Sequence, residues 1–192
     1  WYNGQYIRAL TDEELYKWVL PFITGTGDAT LEINPDNPQP KPKVGPEYSG
    51  VSLGADGEPV CVDASMNMSS ADVKKQLMAL MPLIKERLHF LSDAAEMVHF
   101  LFTEPAVPAK ENIIPKKLDE AKTKEVLVKA KDYVAEIFGK SHEEAEELAK
   151  KYAEELGIKL GDFMMPVRMA VTGSKVSPPL IGSIWILGKE RA

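Results

Sequence analysis

Between Pro166 and Ala192 the chain reads PVRMAVTGSKVSPPLIGSIWILGKERA, which sets one cation, Arg168, in an otherwise apolar helical stretch ending at Gly173. Ser177, Pro178 and Pro179 then form a start signal for a second helix, Leu180 to Leu187, stopped by Gly188. A guanidinium carries five donors and no acceptor, and burying it unpaired is too costly to be accidental. Arg168 therefore needs a carboxylate, a carbonyl, a phosphate or a base edge, and is either tied within the protein or aimed at a ligand. Other chemistries lack their residues. His89, His99 and His142 are not at metal spacing from one another or from Cys61, each reads as sitting at a helix surface or margin, and no metal is expected. The carboxylates of EEAEELAKKYAEEL sit four residues from lysines and read as a solvated helix face rather than an acid/base pair. No phosphate-cradling glycine loop and no GxSxG elbow occurs, so no catalytic residue is expected.

Those side chains need a scaffold, and 192 residues with 44% hydrophobic content allow one large or two small domains with a real core. No run approaches the roughly 20 apolar residues of a membrane helix. The N-terminus lacks a secretory pattern, so a cytoplasmic setting and no membrane partner are expected. Cys61 is alone and cannot form an internal disulfide. The chain begins at Trp1, inside what reads as a structured segment, and is expected to be a fragment of something larger. A net charge of −6 argues against indiscriminate nucleic-acid binding and against a DNA partner. The charge is uneven, however: after Gly157 it runs Lys159, Arg168, Lys175, Lys189 and Arg191 against Asp162 and Glu190. Such a surface suits an anionic partner read by shape and base, with the acidic faces turned away.

Helix signals dominate. Thr11 with Glu14 makes a capping box, and Pro21 with Gly25 ends or distorts the helix that follows. From Gly25 to Ser69 the composition changes: PDNPQPKPK reads as a polyproline-like excursion, and YSGVSL and EPVCVD flanking GADG can form a short β-hairpin. The 25–69 stretch is expected to be an appended or partly disordered Pro/Gly-rich insertion. Ser70 is expected to cap a helix reaching His89 with a kink near Pro82, and Ser92 to cap the next, which stops near Pro105. A short helix after Pro115, Lys124 to Phe138 closed by Gly139, and a helix from Ser141 with Glu144 to Gly157 complete the pattern. The expected fold is mainly α, two small helical bundles in tandem over 70–122 and 123–192, after a helical junction at 1–24.

Three stretches then carry a resemblance: WYNGQYIR at 1–8, LIKERLHFLSDAAEMVHFLF at 83–102, and GIKLGDFMMPVRMAVTG followed by PPLIG and LGKERA. In order and spacing they resemble the C-terminal anticodon-binding region of bacterial-type glutamyl-tRNA synthetases. The resemblance covers the first 22 residues and nearly everything after about residue 70, while 25–69 stands where the family usually has a short link. It implies a monomer that binds the anticodon arm of tRNA(Glu) and positions it for glutamylation by a catalytic domain outside this chain. ATP and Mg would serve that domain, and this segment alone would hold no cofactor and no aminoacylation activity.

The resemblance also implies roles by position. Trp1 falls at the junction that packs near the anticodon stem. Arg87 falls where relatives that charge only tRNA(Glu) set an Arg against the third anticodon base; its donors suit the N3 and O2 acceptors of cytosine, whereas uracil presents an N3 hydrogen. The competing role for Arg87 is a local salt bridge, for instance to Asp93. Arg168 matches an Arg that contacts an anticodon base, and Ser177, Pro178, Leu180 and Ile181 match the turn against which splayed bases pack. Lys175 lies in the same loop at a position apolar in the family, and Pro179 stands where many relatives have Gly. The alternative from another class is a helical protein-interaction module, whose mostly apolar contacts would lack the steep salt dependence of RNA binding.

Overall fold

The computed structural model of the protein describes residues 2–27, 44–104 and 108–192. Among them the fold is mainly α, as the helix signals imply, with ten helices and one two-stranded antiparallel sheet. The chain divides into two compact units, Trp1–Glu104 and Pro105–Ala192. That division falls earlier than 122/123 because the short helix near residue 110 packs on a helix of the second unit.

The first unit holds α1 (Tyr2–Ala9), α2 (Asp12–Thr24), α3 (Pro46–Ser49), β1 (Val51–Leu53), β2 (Pro59–Cys61), a 3-10 turn (Ala64–Met66), α4 (Ser70–Ile84) and α5 (Asp93–Phe102). Helix α2 opens on the expected capping box: Glu14 N–H donates to Thr11 Oγ1 at 3.2 Å and Thr11 N–H to Glu14 Oε2 at 2.8 Å. Its Leu15, Val19 and Ile23, four residues apart, are fully buried, and the helix packs on α4 and α5. Helix α4 is capped by Ser69 rather than Ser70, because Asp72 then stands at the third helical position and its carboxylate returns the bond. It ends at Ile84, short of His89, two residues past Pro82.

The segment expected to be an appended insertion is, from residue 44 onward, part of this unit. Ser49 Oγ donates to Ile23 O at 2.7 Å and accepts from Val51 N–H at 3.0 Å, both inside the core. Gly50, at φ +76°, lies so close to α5 that a Cβ there would sit 2.8 Å from Phe102 O. The expected hairpin is present, pairing Val51 with Cys61, Ser52 with Val60 and Leu53 with Pro59. The polyproline-like stretch at 35–43 lies outside the described residues.

The second unit holds α6 (Lys110–Ile113), α7 (Glu120–Glu136), α8 (His142–Glu155), α9 (Leu160–Thr172) and α10 (Leu180–Leu187). The short helix expected after Pro115 therefore precedes it, and α7 starts at Glu120, capped by Asp119, instead of Lys124. Helix α9 is central, packing on α6, α7 and α8. Tyr133, Tyr152 and Phe163 form an aromatic cluster in the core, with Tyr133 edge-on to both others. Burial first, then the charge of Glu146, pushes the Tyr133 phenol up to about 12, and its hydroxyl has no hydrogen-bond partner among the described residues. Tyr152 is likewise raised by burial and by donating to Glu136 Oε1 at 2.9 Å.

Candidate functional site

Two turns carry the candidate residues, one in each unit. In the first unit Pro82 and the end of α4 send the chain into a tight reversal, with Arg87 N–H and Leu88 N–H both donating to Ile84 O at 2.8 and 3.0 Å. Leu88 is fully buried and anchors the reversal in the core. The three consecutive charges at its start have different fates. Lys85 Nζ meets Asp12 Oδ1 at 2.8 Å, and Glu86 Oε2 faces Arg8 Nε at 4.0 Å, so both are paired with the first two helices. Arg87 is exposed, and among the described residues no carboxylate or carbonyl engages its guanidinium.

Asp93, the internal partner weighed for Arg87, is committed elsewhere. Its Oδ2 accepts the backbone N–H groups of His89 at 3.1 Å and Phe90 at 3.0 Å. The capping expected of Ser92 is not made: Ser92 is buried, in the right-handed helical conformation, with no side-chain cap bond, and the amides of Asp93, Ala94 and Ala95 donate to the carbonyls of Phe90, Leu91 and Ser92 at 3.2, 3.2 and 3.3 Å. A carboxylate that receives two backbone donors closes the turn on the side opposite the Lys85 tie.

In the second unit α9 ends as expected on Gly173, at φ +66°, and the chain returns through 174–179 to α10. Arg168, half-buried on α9, reaches across this return: its Nη1 donates to Ser177 Oγ in a short bond, to Pro178 O at 3.1 Å and to Ser177 O at 3.5 Å. Of the partner types considered from sequence, a carbonyl is present, joined by a hydroxyl. Thr172 Oγ1 donates to Ser174 O at 3.1 Å, and Ser174 Oγ donates to Val176 O at 2.9 Å, so the return is closed along its length. Lys175 is exposed and its Nζ donates to Asn112 Oδ1 at 2.9 Å.

The structure brings Arg168, Ser177 and Pro178 together, but it places Leu180 and Ile181 behind the turn. These two are only 3% and 4% exposed and belong to the core that also holds Val126, Tyr133 and Phe163. A helix apolar on every side, as LIGSIWIL is, has to be enclosed. The apolar side chain on the outside is Val176, 73% exposed. It was not singled out from sequence, although an apolar residue between Lys175 and Ser177, in a loop bounded by Gly173 and Pro178, is the available signal. Pro179 is half-buried at the start of α10. Trp1 lies outside the described residues.

Among the described residues no group of three or more His, Cys, Asp or Glu side chains is placed to hold a metal ion. No described helix is long and apolar enough to cross a membrane. In the first unit one guanidinium projects from a pinned turn, and in the second unit another guanidinium closes a turn.

Comparison with known proteins gives these turns a family. The model of the anticodon binding domain matches residues 56–192. Glutamate–tRNA ligase of Treponema denticola is 45% identical over all 192 residues, and that of Treponema pallidum is 42% identical over the same length. Those matched stretches include 25–69, so the segment that departs from the usual short link is shared with these relatives. The chain spans about a third of the length of these relatives, 35% and 33% respectively. The crystal structure of glutamate-tRNA synthetase from Elizabethkingia anophelis aligns over 99% of this chain and 28% of that one, at 21% identity and a TM-score of 0.48. The chain belongs to the anticodon binding domain family and corresponds to the C-terminal part of glutamate–tRNA ligases.

Proposed function

We propose that this chain holds the anticodon arm of tRNA(Glu), that Arg87 of the first unit reads the third anticodon base, and that the 173–179 return of the second unit supports unstacked nucleotides. Glutamylation itself belongs to a catalytic domain of the parent ligase, which ATP and Mg would serve; no residue here is assigned to either. The observation that carries the reading is the fate of the three charges on the first turn. Lys85 and Glu86 are paired, and the cation between them and the buried Leu88 projects without an ion pair among the described residues. An exposed Arg on a fixed turn loses less orientational freedom on meeting a base than one on a loose loop.

The chemistry gives a direction. A guanidinium offers donors only, and cytosine turns two acceptors, N3 and O2, toward such a fork. Uracil places a hydrogen on N3 and opposes it. A well-oriented pair of this kind is worth roughly 1 to 3 kcal/mol between the right and wrong base. Arg168 contributes by closing the return, since its Nη1 is engaged by Ser177 and Pro178. Single-stranded loops are read by such combinations of a rigid apolar surface with a few directional bonds.

The test is a titration of the chain with two anticodon stem–loop RNAs that differ only in carrying C or U as the third anticodon nucleotide. The C-ending RNA binds more tightly, and Arg87→Gln, which supplies an acceptor as well as donors, reduces the preference toward one. Equal binding of the two RNAs by the unaltered chain defeats the base-reading role.

A further inference from the structure

We infer that Asp93 is a positioning residue for base discrimination: it fixes the turn from which Arg87 projects, without touching RNA itself. The inference rests on the Arg87 reading and goes beyond it by naming what makes that side chain selective. An arginine has four flexible side-chain torsions, so its selectivity depends on where its Cα–Cβ bond points. The turn meets that need from both sides. Before Arg87, Ile84 O accepts two backbone bonds and Lys85, whose side chain is only 17% exposed, is tied to Asp12 at 2.8 Å. After it, Leu88 is sunk in the core, and the next two amides, of His89 and Phe90, both end on Asp93 Oδ2.

Those two amides have no other hydrogen-bond acceptor among the described residues, and His89 is exposed. Without the carboxylate they turn to water, and the peptide planes following Leu88 are free to rotate. The loss then falls on orientation. A loosened turn still brings a cation to an anionic loop, so general affinity survives, while the distinction between acceptor-bearing cytosine and uracil declines. Asp93 thus acts on Arg87 by withholding its charge from the guanidinium and by holding the backbone beneath it.

The test compares the unaltered chain with Asp93→Ala, Asp93→Asn, Arg87→Gln and the double variant, using the two stem–loop RNAs that end in C or U. The unaltered chain is expected to prefer C by about 5- to 150-fold, the range a bidentate base contact supports. D93A is expected to lose at least about threefold of that preference. D93N is expected to keep it within about twofold, because its side-chain oxygen still accepts the two amides. In the R87Q background D93A is expected to change nothing, a pattern that a merely structural role would not produce. If D93A loses its helical circular dichroism, D93S carries the same comparison, since its short hydroxyl is a poorer match for two amides. An unchanged preference in D93A, a loss in D93N as large as in D93A, or a further loss in the double variant overturns the inference. A preference of one in the unaltered chain removes the Arg87 reading and this inference with it, whereas a preference that R87Q abolishes and D93A leaves intact removes the inference alone.

Discussion

Replacing Ser177 by Ala removes the hydroxyl on which the second turn closes, and the structure sets the size of the effect. Ser177 is 2% exposed, so water cannot take the place of the lost oxygen. Its Oγ accepts from Arg168 Nη1 and donates to Pro178 O at 3.1 Å. A hydrogen bond to a charged group is worth about 1.5–3 kcal/mol. Two features hold the value near the lower end: Arg168 is only half-buried, and Pro178 O remains 3.1 Å from the same nitrogen. The expected destabilisation of the second unit is about 1.5 kcal/mol. Urea unfolding followed by fluorine NMR of fluorotryptophan-labelled protein isolates that unit, because Trp185 lies within it and donates to Ile137 O at 3.1 Å. A double-mutant cycle with Arg168→Met is expected to recover about 1 kcal/mol or more of coupling. A change under about 0.5 kcal/mol in S177A, or additive single variants, would refute the assignment of Arg168 as the closure of this turn.

Tyr133→Phe is expected to stabilise the chain by about 1 kcal/mol at neutral pH, because the deleted hydroxyl is buried without a hydrogen-bond partner among the described residues; thermal or urea unfolding reads this directly. The same variant changes the alkaline limb. With the folded phenol raised to about 12, the unfolded state ionises first, so stability from this group is intact below pH 10 and falls by about 1.4 kcal/mol per pH unit between 10 and 12. Stability curves of parent and Y133F measured from pH 9 to 11 are therefore expected to diverge above pH 10 by that slope, and parallel curves would count against the burial of this group. Gly50→Ala is expected to cost about 3 kcal/mol, from a positive φ and a Cβ driven against Phe102 O, and its thermal midpoint measures it.

What was legible in the chain was local. The boxes at Thr11 with Glu14 and Ser141 with Glu144, and the stops at Gly25 and Gly173, depend on residues a few positions apart, and each is where its pattern implies. The bounds of α10 follow from Pro179 before it and Gly188 after it. Adjacent Ser69 and Ser70 compete for one cap, and only Ser69 has an acid three residues on, so that shift was readable from the same rule. Ser92 failed as a cap for a less local reason: the chain before it reverses on Ile84 O and Leu88, and the amides of Asp93, Ala94 and Ala95 are taken by the carbonyls of Phe90, Leu91 and Ser92. The folding of residues 44–66 into the first unit was not legible, because it rests on Ser49 meeting Ile23 and Gly50 meeting Phe102 across long stretches of chain.

At the candidate sites the pattern was similar. The cationic types and their turns could be named from sequence, and the need of Arg168 for an acceptor, within the protein or on a ligand, was clear from its apolar setting. Which charges cancel was not readable: KER offers two cations and a carboxylate in a row, and only the packing of α1 and α2 pairs Lys85 and Glu86 while leaving Arg87 exposed. Burial of Leu180 and Ile181 follows from the all-round apolar character of their helix, which outweighs a surface role for those two side chains.

The most direct test of the proposed function is a crystal structure of the chain bound to an anticodon stem–loop that ends in C. The Arg87 guanidinium should lie within about 3.2 Å of N3 or O2 of the third anticodon base, with Asp93 still receiving the amides of His89 and Phe90. A complex in which that base stacks elsewhere, and Arg87 meets a protein carboxylate or water alone, would contradict it.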